Sequence, residues 1–115
     1  MPREISLVSV EPLTLTVLVE AAAQVDGTLV PRLLGHGAAI QLVDTDDLAV
    51  ITVDTSRLVR DSYDVERVVG PLPFDGDVWW TEATAPWGRA GEPGVAVARA
   101  AAQLLAAVIR VEDGT

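Results

Sequence analysis

The apolar residues of this chain change period several times, and each change marks an element. Ile5, Leu7 and either Val8 or Val10 form a short β-rich run that Pro12 ends, which predicts a strand over 4–10. Residues 13–25 fit two templates. Leu13, Leu15, Val17 and Val19 alternate as in a strand, whereas Leu13, Val17, Leu18, Ala21 and Val25 trace a helical stripe. Thr14 as an N-cap, the run of alanines and an Asp26-Gly27 stop decide for helix. Residues 28–37, with Pro31 and the triplet Gly35-His36-Gly37, read as a connector.

Two β-rich runs, 38–43 and 48–53, flank Asp44-Thr45-Asp46-Asp47 and predict a hairpin with an Asp-rich turn. A short helix is expected over 62–70, with Ser62 as its cap, acids in its first turn, Arg67 in its last and Gly70 as its stop. Pro71, Pro73 and Gly76 mark a loop, 77–84 a strand, and 88–94 a second loop whose Pro93 suits the first turn of a helix. Val95, Ala98, Ala102, Leu105 and Ile109 then recur at helical spacing. That helix is expected to end near Ala107, with a closing strand over 108–111.

The order β-α-β-β-(short α)-β-α-β predicts one α+β domain over 1–115. Its expected form is a two-layer sandwich, an antiparallel sheet with two main helices on one face, as a ferredoxin-like variant. The Ala-rich last helix is expected to lie close against the sheet or its partner helix. This architecture hosts many unrelated functions and names none of them.

Composition narrows the chemistry. Half of the 115 residues are hydrophobic, enough for a core without a staple. The absence of cysteine excludes disulfides, thiolate metal sites and cysteine nucleophiles. All eight basic residues are arginine, and lysine and asparagine are missing, a bias that suggests a high-GC bacterial genome. The net charge of −9 is concentrated in 44–77, where nine acids face three arginines. Such a segment repels phosphate and anionic lipid, which argues against nucleic-acid and membrane partners and favours a basic protein partner, if it is more than a solvated face. The N-terminal run resembles a signal peptide, but Glu4, Glu11 and Pro12 interrupt its apolar stretch. No segment reaches the roughly 18 apolar residues of a membrane span. A folded N-terminus and a cytoplasmic location are expected.

Few residues suggest catalysis. His36 stands alone in a glycine-flanked loop, without a second histidine to share a metal. Asp44, Asp46 and Asp47 begin like a calcium loop but lack its glycine and distal glutamate, and aspartates are preferred turn residues. Ser6, Ser9, Ser56 and Ser62 occur in no nucleophile motif. The glycines of 88–94 match no phosphate loop, although Arg89 precedes a helix start that attracts anions. Arg57, Arg60 and Arg67 are explained by local pairing with neighbouring acids.

The strongest functional signal is Trp79-Trp80, with Trp87 close behind. Neighbouring residues of a strand point to opposite faces, so one indole must leave the main core, and Glu82 shares the face of Trp80. The outward ring is exposed, lies at an interface, or is covered by a fold-back of the 85–93 loop. Two functions are compatible with these features. One is a non-enzymatic interaction module, of adaptor or toxin-neutralising type, that binds a protein or a second copy of itself through the acidic segment and the tryptophan strand. The other is a small enzyme or ligand binder with a pocket between sheet and helices, using Glu82, His36 and Arg89. The module needs only a surface and is the reading carried forward; no cofactor or metal is implied.

Overall fold

The computed structural model describes residues 2–112. The chain forms β1 (Arg3–Ser9), α1 (Leu15–Val25), β2 (Val30–Leu34), β3 (Ala39–Val43), β4 (Ala49–Asp54) and β5 (Arg57–Val59). It continues with α2 (Ser62–Val69), β6 (Val78–Ala85), α3 (Glu92–Leu105) and β7 (Val108–Glu112). The local signals explain most boundaries. Thr14 caps α1 by accepting from the Val17 N–H at 3.3 Å. Pro93 sits in the first turn of α3, and Ala106 ends that helix in the left-handed conformation. At α2 the cap is Asp61 and not Ser62: Asp61 keeps an extended backbone and accepts from the Tyr63 N–H at 3.0 Å, while Ser62 is already helical and buried.

All strand pairings are antiparallel, in the order β2-β3-β4-β6-β1-β7, with β5 also paired to β6. Helix α3 joins β6 to β7, which flank β1 on either side. In the same way β1 and β4 flank β6. These interleaved units make the ferredoxin-like α+β sandwich expected from the element order. Two insertions elaborate it. The hairpin β2–β3 extends the sheet beyond β4. Strand β5 then continues β4 along β6 after a two-residue break, where Ser56 Oγ lies 2.6 Å from Thr81 Oγ1 and accepts from the Leu13 N–H at 3.1 Å.

Both inserted strands correct the sequence reading. Residues 28–37 are not a connector: 30–34 form β2, and 35–38 form its hairpin turn to β3. Pro31 is compatible with a strand because β2 lies at the sheet edge, where a missing N–H breaks no ladder. Gly35, His36 and Gly37 all adopt positive φ, at 55°, 59° and 91°, so the triplet is a tight reversal. Strand β5 has only three residues, too few to show a period.

One sheet face carries the main core. Ile5, Leu7, Leu42, Ile51, Val53, Ala83 and Ala85 pack there under Leu18, Ala21 and Ala22 of α1 and Val97, Ala98, Ala101 and Ala102 of α3. The small residues of α3 let it approach closely. A Cβ on Gly94 would lie 1.9 Å from the Val50 carbonyl oxygen, and one on Gly91 would lie 1.7 Å from that of Pro86.

The opposite face is largely polar. In register across six strands run Arg32, Gln41, Thr52, Thr84, Glu4 and Glu112. Such a row gains nothing from an apolar cover. The face is apolar where α2 covers it. There Val8, Val65 and Val78 form a second small core with Val59, Val69, Leu72, Phe74 and Trp80, which docks α2. Among the described residues no helix is long and apolar enough to cross a membrane.

Candidate functional site

The pleat of β6 separates the two tryptophans as the strand pattern requires. Trp80 pairs with Val8 on one side and Arg57 on the other, and Trp79 with Ser9 and Leu58. Trp80 belongs to the second core, and the Arg57 guanidinium lies 5.2 Å from its ring centroid. Its indole Nε1 is buried without an acceptor among the described residues. The cover over this ring comes from α2 and the 70–74 segment, not from a fold-back of the 85–93 loop.

Trp79 faces the α1/α3 side and is half-buried, as Trp80 is, but belongs to neither apolar cluster. Its cross-strand neighbour Leu58 is 38% exposed. The pair therefore forms an apolar spot at the end of the sheet. Arg60 and Asp77, an exposed ion pair at 3.1 Å, sit at the adjoining strand ends, and Asp61 follows. Trp87 is 46% exposed but lies beyond the opposite end of β6, before the turn Gly88–Gly91. An eight-residue strand at about 3.3 Å per residue keeps it from joining the Trp79 spot.

Glu82 lies on the polar face. It accepts from Ser6 Oγ at 3.2 Å and lines a cleft of about 270 Å³ with Glu4, Arg110, Glu112, Val68 and Val69. Arg110 pairs with Glu112 at 2.8 Å and donates to the Val68 carbonyl, tying β7 to α2. The pocket imagined between sheet and helices is thus not where Glu82 points. His36 sits at the β2–β3 hairpin tip, Arg89 in the turn after β6, and neither lines the Glu82 cleft.

The acidic segment is divided by the fold. Asp44, Asp46 and Asp47 occupy the β3–β4 turn. Asp44 Oδ1 accepts from the Asp46 and Leu48 N–H groups at 2.9 and 3.0 Å, and Asp47 pairs with Arg32 at 3.1 Å. These are turn and surface roles. Asp61 caps α2 and Asp64 lies in its first turn, where Arg67 pairs with Asp64 at 3.7 Å. Among the described residues no three acidic, histidine or cysteine side chains gather to hold a metal ion. No family model, curated protein or solved structure matches this chain.

The residue that sequence reasoning undervalued is Leu58. Its signal was present, an apolar residue between Arg57 and the Val59-Arg60 pair, but its relation to Trp79 depends on β5 pairing with β6.

Proposed function

We propose that this domain is a non-enzymatic protein-interaction module of the cytoplasm, which engages a protein partner through Trp79 and Leu58. The reading rests on one observation: Trp79, a large half-buried aromatic on a central strand, belongs to neither apolar core of its own chain and adjoins the exposed Leu58. Aromatic side chains at the centre of a patch supply most of the binding energy of an interface, and a charged rim sets orientation and rate. Arg60, Asp61 and Asp77 supply that rim here, and the net charge of −9 favours a basic partner. An adaptor or toxin-neutralising role fits a surface of this kind. Nucleic acid and anionic membrane are disfavoured by the same charge.

A photo-crosslinking residue at position 79 identifies the partner, and calorimetry with the purified pair measures it. The expected result is at least an about tenfold loss of affinity for Trp79→Ala in a variant that remains folded. If Trp79→Ala and Leu58→Asp both stay folded and bind as tightly as the parent chain, the proposal is wrong.

A further inference from the structure

The Trp79 spot lies at an acidic end of the sheet. Strands β5 and β6 pair Leu58 with Trp79 and Val59 with Val78, and the next residues along them, Arg60 and Asp77, hold their exposed ion pair at 3.1 Å. Strand alternation sets that pair on the face of Leu58 and Trp79. Beyond it the Ser62 N–H donates to the Gly76 carbonyl at 2.9 Å, which holds Asp61 and Asp75 at the same end. On its other flank Trp79 pairs with Ser9, whose hydroxyl donates to the Glu11 carbonyl at 2.6 Å, so Glu11 belongs to this end as well. Glu11, Asp61, Asp75 and Asp77 are all exposed. Against these four acids stands Arg60, since Arg57 is turned to the opposite face and lies over Trp80.

The chain itself shows what an indole on this strand takes. Trp80 has Arg57 as its cross-strand neighbour and carries that guanidinium 5.2 Å from its ring centroid. At Trp79 the same neighbour position holds Leu58, and among the described residues no cation lies over the ring. Indole is the aromatic side chain that attracts guanidinium and ammonium groups most strongly, and carboxylates around it concentrate cations from solution. A second copy of the chain is a poor source of that cation. It brings seventeen acids against eight arginines, and Arg32, Arg57, Arg60, Arg67 and Arg110 already stack on an indole or pair with a carboxylate.

We infer that the partner is a basic segment of another protein, which lays an arginine or lysine side chain over the Trp79 ring beside Leu58, with Asp61, Asp75 and Asp77 around the cation. The inference rests on the Trp79 contact surface proposed above and adds the chemistry of what that surface takes. Leu58 receives an apolar neighbour of the basic residue, so the matching segment alternates basic and apolar side chains.

The probe is a capped heptapeptide of alternating arginine and leucine, compared with the same peptide carrying glutamine for arginine. Each is titrated into the whole chain at low salt, and the Trp79 indole and Leu58 methyl signals are followed by NMR. The arginine peptide is expected to move both signals, and the glutamine peptide to bind about tenfold more weakly. Asp61→Asn, Asp75→Asn and Asp77→Asn combined weaken the arginine peptide about tenfold or more; asparagine keeps the cap of α2. Asp44→Asn, Asp46→Asn and Asp47→Asn combined change the net charge equally, but at the β3–β4 turn beyond the other end of β6, and change binding less than about twofold. Equal weakening by the two triple variants overturns the inference, because net charge alone then attracts the peptide. A glutamine peptide that binds as tightly as the arginine peptide overturns it too, as does an arginine peptide that leaves both signals unmoved. Sedimentation showing a dimer that Trp79→Ala abolishes overturns the choice of partner and places a second copy on the spot. The contact surface itself falls on a different result, partner binding that survives both Trp79→Ala and Leu58→Asp.

Discussion

The two adjacent tryptophans should respond unequally to truncation, and the size of the difference follows from their surroundings. Trp80 is partly buried against the second core between β1, β6 and α2, and a fully buried tryptophan cut to alanine costs about 3–5 kcal/mol, which bounds the loss from above. Losing the contact with the Arg57 guanidinium adds about 0.5–1 kcal/mol. Against this, the truncation removes an indole N–H that is buried without an acceptor among the described residues, which returns about 1–3 kcal/mol. The net expectation for Trp80→Ala is a loss of at most about 3 kcal/mol. Trp79 is half-buried and makes a cross-strand pair with Leu58 but joins no core, so Trp79→Ala is expected to cost less, about 1–2 kcal/mol. Urea unfolding followed by far-ultraviolet circular dichroism and extrapolated linearly measures both. Trp80→Phe provides an internal check: it keeps most of the ring and discards the orphan donor, so it stays within about 1 kcal/mol of the parent. Equal losses for Trp79→Ala and Trp80→Ala would falsify the reading that only Trp80 is built into an apolar core, and with it the proposed contact surface.

Two further outcomes test the fold. Gly94→Ala raises helix propensity by about 1 kcal/mol, yet its Cβ meets the Val50 carbonyl oxygen at 1.9 Å. Overpacking of this kind costs about 1–3 kcal/mol, so thermal unfolding should show net destabilisation, and a stabilised variant refutes the close approach of α3 to β4. Asp26, just after α1, has its pKa lowered by the Thr28 hydroxyl and then by the Thr28 N–H, with slight opposition from desolvation. A lowered folded-state pKa means stability that is present above the unfolded value and lost as pH falls through the folded one. Thr28→Ala should therefore raise the Asp26 pKa toward its ordinary value in an NMR titration and shrink that acid-range contribution; an unmoved titration contradicts the hydrogen bond.

Much of this protein was legible in its sequence because the relevant physics is local. Thr14 capping α1, Pro93 opening α3, the Asp44 turn and the period change after Val95 each act within one or two turns of chain. The divergence of Trp79 and Trp80 is equally local, since it follows from the pleat of a single strand. Which of the two rings joins an apolar core was not. Trp80 is covered because α2 docks through Val65 and Val69 on the face away from α1 and α3, and nothing within 77–84 specifies which face a distant helix will choose. Strand β2 escaped notice because Pro31 is forbidden only at the centre of a sheet, and edge position is a property of topology. Leu58 met Trp79, and Glu82 met Ser6 across 76 residues, only through strand pairing. Sequence determines what each segment can become, through side-chain period and backbone propensity. Tertiary structure decides which surfaces remain uncovered, because coverage depends on contacts between segments that carry no local record of one another.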